Sequence, residues 1–387
     1  MNRSVFTDEE MDVRRAIRAL VKREIAPHSQ AFDRNEMFPR PQLELLGKHG
    51  YLGMIVDPQY GGAGTSYLAQ TLVIEALAEA DPATAVVYEV HNALVTEGVW
   101  RFGTPEQRQA WLPALCRGEK IGAFALTEAE AGSNAAALTT RAYPVDGGYR
   151  ITGRKMFITG GGEADWYLLF ATVDPQKKAD GITAFVVPKE MAGLSFGPPL
   201  AKMGIRAART SEMILDDVFV PTFQRLGKEG EGYAMALYLL DGGRIGIAAQ
   251  AVGIMAAALA RSLAYARERR QFGEPIGRFE GVQWRLADMA TDLYAARLMT
   301  YEAARHREEG PAQRPLFAMA KLFSSERAVR HAIDAIQIFG GYGYMAEYGV
   351  ERLLRDAKIT EIYEGTSEIM RWVIASFLLK DYNLDNI

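Results

Sequence analysis

The sequence predicts a mostly helical protein with a β-rich middle segment, and three observations lead to this fold class. Residues 1–120 carry apolar side chains at helical intervals, and this period returns in residues 233–387. Between them, in residues 121–232, short runs rich in β-branched and aromatic residues are separated by Gly, Pro and Asp. This order indicates three domains with these bounds, in which the two helical parts pack on each other and on a sheet.

The first third predicts four helices. "TDEEMDVRRAIRALVKREIAPH" begins with Thr7 and Glu10 at the spacing of a capping box, and we expect Pro27 to end this helix. "QLELLGKHGYLGM" predicts a second helix that ends at Gly50. Two further helices follow, separated by a break at Asp81–Pro82.

The remaining two thirds predict strands and then long helices. The runs "YRITGRKMFITG", "WYLLFATV", "GITAFVVP" and "EMILDDVFVP" are typical of an antiparallel β domain. The predicted helices after them are 234–269, 279–308, 312–339, 347–357 and 367–379.

Composition excludes several classes of protein. The 387 residues have a net charge of -4 and no long basic run, which argues against nucleic-acid binding. The N-terminus is polar and acidic, unlike a secretory signal or a transit peptide. The most apolar stretch, Ile245 to Ala260, is shorter than the roughly 18 residues of a membrane span, so we expect a helix packed inside protein. These features predict a soluble, cytoplasmic protein that binds no membrane.

Other motifs give no function. The lone cysteine, Cys116, cannot form an internal disulfide, which suits a reducing compartment, and a buried structural thiol is favoured over a catalytic one. "GGYGYMA" at 340–346 matches a loose dinucleotide fingerprint, but a helix precedes it and no βαβ unit surrounds it. The sequence has no GxxxxGK[ST] phosphate loop and no GxSxG motif, and its five histidines lack ligand spacing, so no metal is predicted.

Six stretches in order do carry a resemblance. They are "FALTEAEAGSN" (124–134), "KMFITGG" (155–161), "MGIRAARTSEMILDDVFVP" (203–221), "LDGGRIGIAAQAVGI" (240–254), "RERRQFGEPIGRFEGVQWRLADM" (267–289) and "IQIFGGYGYMAEYGVERLLRDAKITEIYEGTSEIMR" (336–371). Together they resemble the acyl-CoA dehydrogenase family over nearly the whole chain.

The resemblance implies a fold and a reaction. The fold is an N-terminal helical domain, an antiparallel β-barrel or sheet domain and a C-terminal four-helix bundle. The reaction is the FAD-dependent oxidation of an acyl-CoA thioester to the trans-2-enoyl-CoA, with electrons passed to electron-transferring flavoprotein. It requires a base for the α-proton, a hydride acceptor, and donors to the thioester oxygen.

Glu364, in "YEGTSE", matches the catalytic base of the family. A free Glu carboxylate is a weak base, with a pKa of about 4.3, and burial would raise that pKa towards working pH. Taken alone, Glu364 also fits a solvated loop charge before a helix that begins at Thr366. Gly365 leaves room for close approach of backbone and substrate. The resemblance makes the flavin ribityl hydroxyl and the Glu364 N–H the donors to the thioester oxygen.

Three positions bear on the substrate. In some members of the family the base lies on a helix, at the position of Gly243, which cannot act as a base. Asp241 and Arg244 match residues that contact CoA, and the alternative for them is an ion pair on a helix surface. Glu89 falls on a helix that borders the acyl pocket in the family. We expect Glu89 to lie on a solvated helix face, the alternatives being a polar acyl pocket or proton transfer.

The resemblance also implies a flavin site in the β segment. Thr127 and Ser133 match residues at the pyrimidine edge and the pyrophosphate, and Ser133 also reaches substrate. Phe157 and Thr159 match the aromatic neighbour of the ring and the donor to N5. Their neighbours complete this set: Phe124, Leu126, Gly132 and Ile158. Relatives usually have "EPGAGSD" where this chain has "EAEAGSN", so loop rigidity and CoA contacts here are expected to differ.

The adenine half of FAD resembles a site completed by a neighbouring subunit. The residues that match it are Arg269, Gln271, Phe272, Glu280, Gln337, Gly340, Gly341, Thr366 and Glu368. A forked Arg suits pyrophosphate, and Gly allows close approach of the backbone. Family members usually have Gln at the position of Glu280. A shared cofactor implies an oligomer, by resemblance a tetramer.

Three other functions remain as alternatives. An acyl-CoA oxidase on this scaffold would use oxygen, although typical members are longer. A DNA-binding flavoprotein relative would need a basic surface, which the charge of -4 disfavours. A purely structural role would give no reason for Glu364 together with Thr159. "DGGRIGIAAQ" favours short- or branched-chain substrates over long ones.

Overall fold

Helices occupy both ends of the chain and strands its middle. The computed structural model describes residues 6–309 and 313–380. The helices are α1 Asp8–Leu20, α2 Ala26–Arg34, α3 Arg40–Lys48, α4 Tyr67–Ala80, α5 Pro82–Glu89, α6 Glu97–Phe102, α7 Pro105–Cys116, α8 Gly232–Glu268, α9 Glu280–Arg305, α10 Arg314–Phe339, α11 Glu351–Lys358 and α12 Ser367–Lys380. The mostly helical fold class with a central β domain is confirmed.

The strands form one large sheet and one small ribbon. They are β1 Gly122–Ala125, β2 Arg141–Val145, β3 Gly148–Thr159, β4 Trp166–Thr172, β5 Ile182–Pro188, β6 Leu194–Phe196, β7 Thr210–Pro221, β8 Arg225–Leu226, β9 Arg270–Gln271 and β10 Glu274–Pro275. The large sheet has the order β6-β7-β3-β2-β4-β5-β8, with β1 paired to β4. The two longest strands, β3 and β7, pair with each other, and their register shifts between Lys155 and Ile158.

The antiparallel prediction holds for most of this sheet but not for all of it. β1 runs parallel to β4, with Gly122 opposite Trp166, and β2 meets β4 in parallel through Arg141 and Thr172. Strand periodicity alone does not distinguish the two directions, because both place alternate side chains on one face. The parallel pairing brings the chain that follows β1 towards the end of β3.

Local signals predict several helix ends correctly. Thr7 and Glu10 form the capping box of α1, and the Thr366 hydroxyl caps α12 by accepting a hydrogen bond from the Ile369 N–H at 3.3 Å. The prediction that Pro27 ends the first helix is wrong. A π-helical turn, Val21–Ile25, leads from α1 into α2, where Pro27 lies in the first turn and needs no N–H partner.

The C-terminal helices agree with the predicted positions, with differences at their ends. The predicted helix 347–357 begins only at Glu351, because Gly349 adopts a left-handed conformation with φ 64° after a short 3-10 turn. Helix α9 ends at Arg305 and continues as a 3-10 turn. The predicted first residue of the next helix, 312, lies outside the described residues, as do the N-terminal residues 1–5.

Helix α8 is the central helix of the molecule. It packs against α4 from the N-terminal part, against α9 and α10, and against β5, while α12 packs on α10. In the described part of the chain it is the one helix long and apolar enough to span a membrane, but 72% of its most apolar window is buried inside the protein. This agrees with the prediction of a core helix. Cys116 is buried as predicted, and burial raises the pKa of its thiol to about 12.

Candidate active site

Glu364 lies on the loop between α11 and α12, at the surface of α8. Its backbone has φ 54°, a left-handed conformation that costs a side-chain-bearing residue of the order of 1–3 kcal/mol. Gly365 follows with φ 103°. Seven non-glycine residues of the described chain have positive φ, and three of them, Phe157, Phe272 and Glu364, are residues that the sequence places at the site. Strain at these positions favours a function over a plain loop.

The Glu364 carboxyl reaches into the protein and does not face solvent. Its Oε2 atom is buried, and no hydrogen-bond donor reaches it within the described residues. A Cβ built on Gly243 of α8 would lie 1.9 Å from this oxygen, so the absence of a side chain at Gly243 makes room for the carboxyl. The solvated-loop interpretation of Glu364 therefore does not fit the structure.

Burial and nearby charges set the acidity of Glu364. Burial raises the pKa of its carboxyl to about 7, while the Glu89 carboxyl, Lys321 and Arg244 act in the opposite direction. A group with this pKa is largely ionised just above neutral pH and is a much better proton acceptor than an exposed Glu. The arrangement suits a general base.

Lys321 of α10 contacts the loop that carries Glu364, and the sequence did not lead us to predict this contact. Its ammonium donates a hydrogen bond to the Gly365 carbonyl at 2.5 Å from the buried face of α10. Burial lowers the pKa of Lys321 to about 8, and Glu364 counters that shift. A lone Lys inside the apolar run "LFAMAKLF" is the signal that could have identified it.

Asp241 and Arg244 form an ion pair, but this pair is not on a helix surface. Arg244 Nη1 lies 2.9 Å from Asp241 Oδ1, and both residues are buried. Arg314 Nε approaches the other Asp241 oxygen at 2.7 Å. The surface-pair alternative is wrong because α8 is covered on this side by α10.

The prediction that Glu89 lies on a solvated helix face is also wrong. Glu89 ends α5 and is 0% exposed. Its side chain packs on Gly246 of α8, where a Cβ would lie 2.4 Å from the Glu89 Cγ. The sequence shows a Glu in the apolar run "AVVYEVHNAL", which is the pattern of a buried helix rather than of a solvated face.

The β domain gathers the predicted flavin-ring residues around the ends of β1 and β3. Phe157 lies in the bulge of β3 with φ 59°, and the residue is 62% exposed. Ile158 beside it is buried, and Thr159 closes the strand opposite Thr210. Phe124 in β1 packs against Phe170 with ring centroids 5.0 Å apart. An exposed aromatic on a strained bulge presents an apolar face that a planar ring could cover.

The loop after β1 is held to β3 by a buried ion pair. Lys155 Nζ donates to the Leu126 carbonyl at 3.0 Å and to Glu128 Oε1 at 2.8 Å. The Thr127 carbonyl accepts from the Met156 N–H at 2.8 Å. Further along, Gly132 and Ser133 are exposed, and a Cβ on Gly132 would meet no atom within 4 Å. The loop is therefore fixed to β3 near its start and is exposed at Gly132 and Ser133.

A second group of predicted residues forms a cavity at the junction of α8 and α10. Arg269, Gln271, Gly340 and Gly341 line it, and its volume is about 570 Å³. Neither glycine has an atom within 4 Å of where a Cβ would stand. The Arg269 guanidinium lies 5.3 Å from the Tyr342 ring centroid.

The other predicted cofactor residues lie outside this cavity. Phe272 is 94% exposed, and Glu280 and Gln337 are exposed at the start of α9 and near the end of α10. Thr366 and Glu368 lie at the start of α12, beside Glu364. The cavity lining includes none of the flavin-ring residues of the β domain. The two halves of the predicted site thus lie in different parts of this chain.

These features fit FAD. An exposed aromatic face and an open loop tip suit the flavin ring and its pyrophosphate. A cavity with an Arg and two glycines suits an adenosine diphosphate moiety, since Arg donors match phosphate oxygens and Gly permits close approach. No group of His, Cys, Asp or Glu in the described residues has the arrangement of a metal site.

Comparisons with known proteins identify the family of this chain. Three family models match in order: "Acyl-CoA dehydrogenase, N-terminal domain" over residues 7–119, "middle domain" over 123–218 and "C-terminal domain" over 230–379. The "Acyl-CoA dehydrogenase, short-chain specific" of Clostridium acetobutylicum is 41% identical, with 97% of this chain and 99% of that protein covered.

Solved structures agree as well. Butyryl-CoA dehydrogenase from Megasphaera elsdenii has a TM-score of 0.94 at 40% identity, covering 97% of this chain and 99% of that one. A chain in the structure described as "Electron transferring flavoprotein of Acidaminococcus fermentans: Towards a mechanism of flavin-based electron bifurcation" has a TM-score of 0.95 at 41% identity, covering 97% and 99%. This chain belongs to the acyl-CoA dehydrogenase family, whose members are FAD-dependent oxidoreductases.

Proposed function

We propose that this protein oxidises a short-chain acyl-CoA to the trans-2-enoyl-CoA, with Glu364 as the base and electron-transferring flavoprotein as the acceptor. The observation that carries the proposal is the Glu364 carboxyl, which is buried against Gly243 on a strained loop and has a pKa of about 7. A carboxylate in this setting is prepared to take an α-proton at neutral pH.

Glu364 has two tasks in this mechanism. Its carboxylate takes the α-proton, and its backbone N–H donates to the thioester oxygen as negative charge develops there. No backbone acceptor is paired with this N–H within the described residues, which leaves it available. Lys321 fixes the loop through the Gly365 carbonyl and thereby holds both groups in place. We assign Gly365 to the substrate contacts as well, and its φ of 103° is a conformation that favours glycine.

FAD would be held by two groups of side chains. We place the flavin ring against Phe157, with Thr159 as a donor and with Phe124, Leu126, Thr127, Gly132, Ser133 and Ile158 around it. Bound there, FAD would supply the acceptor for the hydride that leaves the β-carbon. Arg269, Gln271, Gly340 and Gly341 would hold the adenosine half of a partner subunit's FAD. Phe272, Glu280, Gln337, Thr366 and Glu368 complete these contacts.

The CoA moiety extends along the start of α8. Asp241 and Arg244 are buried there as an ion pair, and Arg314 adds a positive charge. We assign Asp241 and Arg244 to CoA contacts, with Ser133 on the opposite side. The acyl group then lies between Glu364 and Phe157.

Short acyl groups are favoured because side chains fill the part of the proposed acyl site that lies next to Glu364. Glu89 and Leu94 reach α8 at Gly246 and Gly243, so their side chains occupy the region next to the base. The relatives described as short-chain specific and as butyryl-CoA dehydrogenase support the same size class.

An anaerobic titration tests the substrate class. We expect acyl-CoAs of about four carbons, straight or branched, to bleach the flavin absorbance at lower concentration than long-chain ones. Reoxidation of the reduced protein should then be fast with electron-transferring flavoprotein and slow with oxygen. Bleaching by long-chain substrates alone would contradict the size class, and oxygen uptake at the turnover rate would indicate an oxidase instead.

We also propose an oligomer, by resemblance a tetramer. Large apolar side chains are exposed on α9 and α12: Trp284, Tyr294, Leu298, Trp372 and Leu379. Burial of such side chains is a common basis of subunit association. The three-domain division at 1–120, 121–232 and 233–387 is supported by the change of element type at β1 and at α8. The buried α8 supports a soluble protein, which we place in the cytoplasm.

The pH dependence of flavin reduction follows from Glu364. The reaction needs the ionised carboxylate, so kcat/KM should fall as pH decreases through the pKa of about 7 in the free enzyme. Stopped-flow reduction at low substrate across this range measures it. A midpoint near the usual Glu value of about 4.3 would mean that a different group limits the rate.

A further inference from the structure

Glu89 presents a buried carboxyl that the proposed reaction does not use. Neither of its oxygens is reached by an N–H or O–H donor of the described residues. Its side chain rests on Gly246, one helical turn along α8 from Gly243, which accommodates Glu364. The two glycines thus bring two carboxyl groups side by side in the protein interior.

The two buried carboxyls act on each other, and Glu364 adds to the effect of burial in raising the pKa of Glu89. Two ionised carboxylates are both acceptors, so a hydrogen bond between them requires that one of them carry a proton. Two like charges in a site of low dielectric also repel strongly, which favours the same singly protonated state.

The surroundings decide which carboxyl carries the proton. The cations Lys321 of α10 and Arg244 of α8 act on Glu364. The charged group that acts on Glu89 besides Glu364 is an anion, Glu97 of α6, itself paired with Arg307 at 3.1 Å. Burial and then Glu364 raise the pKa of Glu89 well above its ordinary value.

Two phenols complete the set of titratable neighbours. Tyr67 of α4 faces Glu89, Glu97 and Arg307, and Tyr363 on the loop faces Glu364 and Glu89. Burial raises the pKa of each phenol well above its ordinary value, so both stay neutral. The negative charge therefore resides on Glu364 and the proton on Glu89.

We propose that Glu89 is a positioning residue for the base: its neutral carboxyl donates a hydrogen bond to the Glu364 carboxylate and keeps that carboxylate ionised and oriented before substrate enters. This inference rests on the proposed role of Glu364. When the α C–H bond breaks, its electron pair stays on the substrate and the proton bonds to Glu364. The pair then holds two protons instead of one.

The first test compares pH profiles of flavin reduction for Glu89→Gln and Glu89→Leu. Gln keeps an N–H donor to Glu364, so the acid limb of the pH profile of Glu89→Gln should stay near that of the wild type. Leu removes the donor, and the limb should move to higher pH by about one unit, a tenfold loss of kcat/KM on the acid side. Tyr67→Phe is the matched control and should leave the limb in place. An unmoved limb in Glu89→Leu would overturn the proposal.

The second test needs no turnover and covers the case in which Glu89→Leu does not fold. Infrared spectra of the holoenzyme at about pH 8, above the Glu364 pKa of about 7, report protonated carboxyl groups through their C=O stretch. We expect such a band in the wild type and in Glu364→Gln, and its loss in Glu89→Gln. A band that disappears in Glu364→Gln and stays in Glu89→Gln would place the proton on Glu364 and refute the assignment.

The two tests also separate this inference from the proposed function. If Glu364→Gln still reduces flavin at the wild-type rate, the base assignment is wrong. The infrared band still reports whether Glu89 is the neutral member of the pair. A correct base without the Glu89 band would refute only the positioning role.

Discussion

Glu364→Gln should slow flavin reduction by roughly 100- to 10,000-fold while the protein still binds FAD and acyl-CoA. The amide has nearly the volume of the carboxyl and fits the space at Gly243, but it cannot accept the α-proton. Lys321 still holds the loop through the Gly365 carbonyl, so the backbone N–H of residue 364 remains in place. Anaerobic stopped-flow reduction with a four-carbon acyl-CoA measures the rate.

Binding and chemistry can be separated in the same variant. Acyl-CoA binding perturbs the absorbance of the bound flavin without bleaching it, and this perturbation should persist in Glu364→Gln. Glu361→Gln is a control, because Glu361 is a carboxylate of the same segment that pairs with Lys358 at the surface. It should reduce flavin at close to the wild-type rate. Normal bleaching in Glu364→Gln would refute Glu364 as the base.

Lys155→Met should destabilise the loop after β1 by about 3–5 kcal/mol. Lys155 is 0% exposed. The Glu128 carboxylate accepts hydrogen bonds from the Lys155 ammonium, from the N–H and the hydroxyl of Thr139, and from the Thr140 N–H. Burial opposes ionisation of Glu128, but Lys155 and these donors lower its pKa to about 2. Without Lys155, a charged carboxylate remains in the interior with no cation beside it.

Hydrogen exchange of residues 126–140 measures this effect, since the loop opens locally before the whole protein unfolds. The neighbouring Arg154→Met is the control: its ion pair with Glu212 is on the surface at 3.2 Å and should contribute less than about 1 kcal/mol. Adding Glu128→Gln to Lys155→Met should restore part of the protection, because the buried charge is then gone. Equal effects of Lys155→Met and Arg154→Met would contradict the role assigned to the buried pair.

Local features of the fold could be read from the sequence because their partners are close along the chain. The caps at Thr7 and Thr366 depend on residues three positions away. The resemblance identified Glu364 and Phe157 from short motifs, and the structure shows that both have positive φ.

The environment of the site could not be read in this way. Whether Glu89 faces solvent depends on Gly246, which lies in another domain of the chain. The contact of Lys321 with Gly365 and the parallel pairing of β1 with β4 also join distant segments. The prediction at Pro27 was wrong although its cause is local, because Pro is found both after the end of a helix and in its first turn. Here a π-helical turn precedes Pro27, and Pro27 lies in the first turn of α2.

The missing side chain at Gly243 has a consequence for where the base can lie. The position where a carboxylate on α8 would begin is 1.9 Å from the carboxylate that comes from the loop. A side chain added at Gly243 would therefore displace the Glu364 carboxyl from its place against α8. A change at one of these two positions alters the other, so the location of the base is a property of the pair of residues.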